Sequence, residues 1–256
     1  MMKQFLKWTA IAAALASLAL AQTVKSQKEA DALMAIQSAT DADGRLKAIE
    51  NLLTKFADTE FKVVVLEIAT DTARQKGDND LMIIYCERTL EADPKNLNAI
   101  SSIAKATADH IRENDLDKED KLKRVDELAN LGLKLAPDAK KPGMLSDDQW
   151  VARKNDYLAD CHDALAAAAL IRKKPEVAVT EYQASLAARK DPATMVRLGQ
   201  VYNLQGKSDQ ALAILDQVLA MPDLHPAVKQ VAGQEKVKAA MAKAKAPKPV
   251  EATKPQ

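Results

Sequence analysis

The sequence predicts an all-α chain of tandem helix hairpins, and three observations carry that expectation. Ala and Leu are abundant while aromatic residues make up only 4% of the 256 residues. Apolar residues recur at spacings of three and four, and no run of β-branched residues alternates with polar ones over strand length. Even in "KVVVLEIA", the nearest case to a strand, Phe61, Val64, Val65, Ile68 and Ala69 fall at helical spacing. Finally, the same residue types return at matching offsets in distant segments, as repeated structural units require.

The elements follow in order. Lys3 and Lys7 precede an apolar run from Trp8 to Leu20, and Ala19-Leu20-Ala21 supplies small residues where a signal peptidase reads. Residues 1–21 are therefore expected to be a secretory signal peptide cleaved after Ala21. The run is about 13 residues, short of the roughly 20 that a spanning helix needs. Retention of the segment as an uncleaved anchor is the alternative. A degenerate hairpin is expected over 22–61, with helices near 26–38 and 45–56. Helices are then expected near 60–76, 80–92, 97–113, 118–135, 147–173, 176–189, 193–205 and 208–220. Gly44, Gly77 and Gly206 read as left-handed helix stops, and Pro94 and Pro222 as stops after second helices. Ser146 lies three residues before Gln149, a capping box that starts the long helix. Along that helix Trp150, Tyr157, Cys161, Ala164 and Ala168 form one stripe, expected to be core. The helix near 226–243 is less apolar and fits a cap over the end of the array. Residues 244–256 contain Lys, Ala and Pro with Val250 as the one large apolar residue, and are expected to form a disordered tail.

The repeats span 62–225. With Gly77 aligned to Gly206, Leu90 and Leu219 both lie 13 residues later, and Met82 and Ala211 both lie five later. Pro94 and Pro222 follow at 17 and 16. Another copy lacks the glycine: Ala166, Ala178, Tyr182 and Leu186 lie 33 residues before Gly199, Ala211, Leu215 and Leu219. A further copy matches "GLKLAPDA" (132–139) to "TLEADPKN" (89–96). Gly199 inside a helix costs roughly 1 kcal/mol relative to Ala. That residue makes sense where the neighbouring helix passes too close for a side chain.

The pattern Leu198-Gly199, Tyr202, Gly206, Ala211, Leu215, Leu219, Pro222 resembles the tetratricopeptide repeat (TPR), and Thr89 to Asn96 resembles its closing segment. The resemblance implies a right-handed superhelical array of helix hairpins, an α-solenoid. It departs from the family at "RENDLDKED" (112–120) and "DAKKPGMLSDDQW" (138–150), which lengthen the middle of the array.

Chemistry-bearing patterns are sparse. In Gly206-Lys207-Ser208, a phosphate loop would need Gly where Val201 stands, and a strand leading in. His110, His162 and His225 stand in different repeats or linkers, with no metal-ligand spacing among them. Cys161 and His162 are adjacent on a helix and point about 100° apart. Carboxylate pairs among Asp71, Asp78, Asp80, Asp147 and Asp148 are as frequent as expected of a chain that is 29% charged. Cys86 and Cys161 fall in repeats too far apart for a disulfide and read as small buried hydrophobes. No catalytic residue, cofactor or metal is expected. Removal of Lys3 and Lys7 leaves 35 basic against 36 acidic residues, so no basic face points to nucleic acid. The balance is uneven: six Lys and two Glu lie from Glu235 onward.

In the TPR family the first helix of each pair lines a concave face. Projecting the non-core side of these helices selects Glu67, Asp71, Arg74, Ser101, Lys105, Asp163, Ala167, Arg197, Gln200 and Asn203 as expected partner contacts. The resemblance implies a non-enzymatic scaffold for a protein or peptide partner, placed by the signal in the periplasm or outside the cell. No stable membrane insertion is expected after cleavage. An inner-membrane-tethered assembly factor is the alternative reading, and an enzyme with an unfamiliar site a remote one.

Overall fold

The computed structural model describes residues 24–143 and 145–245. The expected signal peptide and residues 246–256 of the expected tail lie outside the described residues. Among those described, all regular structure is helical: α1 (Gln27–Ser38), α2 (Ala42–Lys55), α3 (Lys62–Lys76), α4 (Asn79–Ala92), α5 (Leu97–His110), α6 (Lys118–Leu135), α7 (Asp147–Ile171), α8 (Pro175–Ala188), α9 (Pro192–Leu204), α10 (Ser208–Leu219) and α11 (Pro226–Lys245). Consecutive helices pack as hairpins, and α7 packs on both α5 and α6, as α11 packs on both α9 and α10. The array is thus one helix pair stacked on the next, with an all-α fold as expected.

Local chemistry explains where the helices begin. Ser26, Asp41, Asp78, Asn96 and Asp191 each accept a backbone N–H of the first turn through the side chain, which satisfies a donor the helix itself leaves open. The capping box at Ser146 forms in full: the Gln149 N–H donates to the Ser146 hydroxyl at 3.2 Å, and the Ser146 N–H donates to Gln149 Oε1 at 3.0 Å. Gly44 is a correction. It lies in the first turn of α2, where its N–H donates to the Asp41 carboxylate at 2.7 Å, and the helix begins three residues earlier than the glycine suggested.

The other two glycine stops hold. Gly77 has φ 73° and Gly206 φ 70°, the left-handed region that costs glycine little. After each, the next N–H reaches back five residues: Asp78 to the Ala73 carbonyl at 3.0 Å and Lys207 to the Tyr202 carbonyl at 2.9 Å. This closes the helix in the same way. The copy without a glycine makes the identical turn. Lys173, five residues before Ala178 as Gly206 is before Ala211, has φ 58°, and the Lys174 N–H donates to the Ala169 carbonyl at 2.8 Å. The repeat therefore dictates the backbone even where the residue is unsuited. Lys173→Gly is expected to raise stability by about 1 kcal/mol, since a side chain in this region is strained by about that much. The ion pair that would be lost, to Glu113 at 3.5 Å, is exposed and contributes little. Urea unfolding followed by circular dichroism reads the change, and an unchanged or lower midpoint would contradict it.

The core runs along the seams between helices. Phe61, Val65, Leu66, Ile100, Ile103, Leu122, Tyr182, Ala211 and Leu215 are all buried. A Cβ placed on Gly199 would lie 2.9 Å from Leu215 Cγ and Cδ2, so α9 and α10 approach as closely as the buried glycine implied. The stripe on α7 is core at Tyr157, Cys161, Ala164 and Ala168, while Trp150 is half-buried beneath Lys154, whose ammonium lies 5.8 Å from the ring centre.

Candidate functional site

The first helices α3, α5, α7 and α9 carry the expected partner contacts, and the structure sorts those residues into two clusters. In the first, Asp163 of α7 is only 2% exposed. It accepts the Thr194 hydroxyl of α9 at 3.0 and 3.2 Å and faces the Lys105 ammonium of α5 at 3.4 Å. Lys105 also faces Asp109 at 3.4 Å, and Arg197 of α9 pairs with Asp109 at 3.1 Å. This last contact joins α5 to α9 in front of α7. Packed helices lie about 8–10 Å apart, so a flat layer would hold α5 and α9 too far apart for Arg and Asp to meet. The surface therefore curves inward here. Lys105, Asp163 and Arg197, predicted separately, converge in one charge-balanced network.

The second cluster lies toward the start of the array. Arg74 pairs with Asp71 at 2.6 Å and donates to the Ser102 hydroxyl of α5 at 2.8 Å. Glu67 accepts from Asn96 at 2.9 Å, and burial pushes its carboxyl up from the ordinary range despite that hydrogen bond. Arg153, from the long first half of α7, stands beside Tyr157 and within reach of the Glu67 and Asp71 charges. Alongside, Arg189 holds Asp156 and Asp160 at 3.2 and 2.8 Å. Burial raises the Asp160 carboxyl's pKa, with the Arg189 charge opposing.

The other expected contacts fare differently. Ser101 is buried and its hydroxyl faces the Asn98 carbonyl at 3.4 Å, so it is core rather than a partner contact. Asn203 is taken up by α11, donating to the Glu235 carbonyl at 3.0 Å and carboxylate at 2.8 Å. Gln200 and Ala167 remain half-open on the same face. Sequence reasoning missed Asn96, Ser102, Asp109, Arg153 and Thr194. Only Asn96 carried a local signal, as the helix cap it also serves, and the others are defined by neighbours in other hairpins.

The two cysteines are buried packing residues. Burial pushes the Cys86 thiol up to about 11 and the Cys161 thiol up to about 12, so both stay protonated and poorly nucleophilic near neutrality. Both are free, as the repeat spacing implied. The native protein is expected to resist Ellman's reagent at pH 8 and to yield two thiols in denaturant. Fast native labelling would contradict the buried placement. His162 Nδ1 lies 2.7 Å from a Glu181 carboxylate oxygen, across the α7–α8 seam rather than beside Cys161. Among the described residues no group of three or more His, Cys, Asp or Glu is placed to hold a metal ion. Nor is any described helix long and apolar enough to cross a membrane.

No family model matches the chain, and no curated protein matches it in sequence. Solved structures do. A thermophilic TPR protein of Thermus thermophilus is similar over 79% of this chain and 91% of its own, at 16% identity and a TM-score of 0.51. The MamA protein is similar over 73% and 94%, at 18% identity and a TM-score of 0.41. The assembly chaperone of RpL4 is similar over 85% and 96%, at 12% identity and a TM-score of 0.42. The stacked hairpins, the repeated left-handed stops and the likeness to the Thermus protein agree: the chain has the tetratricopeptide-repeat fold.

Proposed function

We propose that this chain is a non-enzymatic interaction scaffold that holds a protein or peptide on the inward-curving face of its first helices. The observation that carries the reading is the Arg197–Asp109 contact across α7. It belongs to a curved face whose polar groups are held in place by one another before any partner arrives. A pre-ordered face loses less freedom on binding than a mobile one. The groups still open there, Asp71, Arg74, Arg197 and Gln200, are hydrogen-bonding and charged. They suit an extended polar segment rather than an apolar small molecule. The basic start, apolar run and Ala19-Leu20-Ala21 support export of a mature chain beginning at Gln22 to the bacterial periplasm or beyond.

A photo-crosslinking residue at Gln200, compared with one at exposed Glu127 on α6, tests the binding face in the native envelope. A discrete adduct from position 200 and none from 127 is expected. Equal labelling from both positions, or none from either, would sink the proposal. N-terminal sequencing of the exported chain tests the location. A start at Gln22 supports a free periplasmic or secreted protein, and a retained Met1 supports the tethered reading instead.

A further inference from the structure

At the end of the array, α11 leaves an apolar stripe uncovered among the described residues. Gly233 follows Gly199 by 34 residues, the length of one repeat. The two glycines occupy the same place in successive first helices. Over Gly199, α10 presses Leu215 to within 2.9 Å of where a Cβ would stand, with Ile214 at 3.4 Å. Over Gly233 no atom of the described residues lies within 4 Å. On the same side of α11, Val237 is 54% and Met241 61% exposed, and Ala240 is exposed beside them. Helical spacing puts these four residues in one stripe. Lys229 and Lys236 flank it on one edge, and Lys238 and Lys245 on the other. Lys236 makes only an exposed pair with Asp216 at 2.6 Å. The single acid of the helix, Glu235, accepts from Asn203 at 2.8 Å and lies 3.7 Å from Lys238, which leaves α11 with a large excess of positive charge.

We propose that this stripe docks one acidic amphipathic helix of a partner protein, which covers α11 as α10 covers α9. The covering helix already seen in the array defines the chemistry. "SDQALAILDQVL" (208–219) carries Asp209 and Asp216, no basic residue, and a branched aliphatic residue over the glycine. A second copy of α11 in that place would set its five lysines against five more, and like charges at an interface are repelled. A membrane surface is disfavoured because Val237 and Met241 are the only large apolar residues on the stripe. Helices that lie in membranes present Trp, Phe or Leu. The charge of the flanking lysines thus selects an acidic helix.

The test uses the full chain and a fluorescein-labelled synthetic peptide of residues 208–221, held helical by a lactam on its outward side. Saturable binding is expected, weakened at least about tenfold by Gly233→Leu, whose side chain fills the docking space. A peptide carrying lysine at both aspartate positions is expected to bind at least about tenfold more weakly as well. Gly233→Leu meets open space and is expected to leave the melting temperature unlowered, which separates lost docking from lost folding. Binding that survives Gly233→Leu would mean that the peptide replaces α10 instead and would overturn the proposal. So would the absence of saturable binding, indifference to peptide charge, sedimentation of the protein with anionic phosphatidylglycerol vesicles through Met241, or a dimer that Met241→Glu dissolves. Gln200→Ala is expected to leave this binding unchanged, so the end face and the inward-curving face are judged independently.

Discussion

Gly132→Ala is expected to lower the unfolding free energy by about 2 kcal/mol, the net of an overpacked core and a small gain in helix propensity. Gly132 lies in the interior of α6. A Cβ there would stand 2.5 Å from Cys161 Sγ and 3.2 Å from Ile100 Cγ2. Both neighbours are completely buried, so neither has solvent to retreat into, and a close-packed interior resists such insertions. Cys161→Ala removes the obstructing sulfur. That change alone is expected to destabilise by about 1 kcal/mol through the small void it leaves. In the double variant the new methyl group partly fills the void, so the two effects must not add. Urea unfolding of the wild type, both single variants and the double variant gives the coupling. A double variant no more stable than Gly132→Ala alone would show that the sulfur is not the obstacle. The same experiment assigns a role to Cys161, whose raised pKa and burial leave it packing rather than chemistry.

Asp163→Ala is expected to destabilise by about 3 kcal/mol, the lower end for breaking a buried charged network. The carboxylate is almost fully buried and accepts the Thr194 hydroxyl, which lies in the first turn of the next hairpin. Its loss removes the acceptor shared by that hydroxyl and the Lys105 ammonium, and leaves the hydroxyl only Asp191 at 3.1 Å. Lys105 is 27% exposed and retains Asp109, which keeps the loss from rising further. Asp163→Asn retains an acceptor for Thr194 and is expected to lose about half as much. The effect of Asp163→Ala should persist in high salt, because buried pairs are screened much less than exposed ones. The exposed Lys76–Asp43 pair serves as the contrast. If Asp163→Ala unfolds at the wild-type denaturant concentration, the residue is a partner contact after all and the network adds nothing to the fold.

These two residues mark the boundary of what was legible beforehand. Gly199 was readable as a site of close helix approach because its own repeat supplies the partner, Leu215, sixteen residues on. Gly132 was not, because its partner Cys161 lies in the following hairpin, beyond the lengthened segment after Pro137. Gly44 departs from the expected helix stop for a related reason: a glycine in the first turn and a glycine past the last turn look alike in sequence, and only the Asp41 cap that holds its N–H tells them apart. At Lys173 the repeat register was the better guide, since the turn is left-handed without the residue that favours it.

The expected partner contacts divide along the same line. Projection from helical spacing placed Asp71, Arg74, Arg197 and Gln200 on the face of the first helices. It also placed Ser101, Asp163 and Asn203 there; Ser101 is buried against its own helix, and neighbouring helices take up the other two. A single helix reveals which side chains point away from its own hairpin, but not whether another hairpin waits on that side.

What the amino-acid sequence determined alone was the all-helical class, the hairpin period, most helix ends and the residues that fill each seam. All of these depend on contacts within about one repeat, where caps, left-handed stops and 3.6-residue periodicity act. Tertiary structure decided how strongly the face curves, that Arg197 would meet Asp109 across α7, and that no described residue would fill the space above Gly233 while Leu215 fills the space above Gly199. Those outcomes arise from small rotations accumulated from hairpin to hairpin, and no local window of sequence contains their sum.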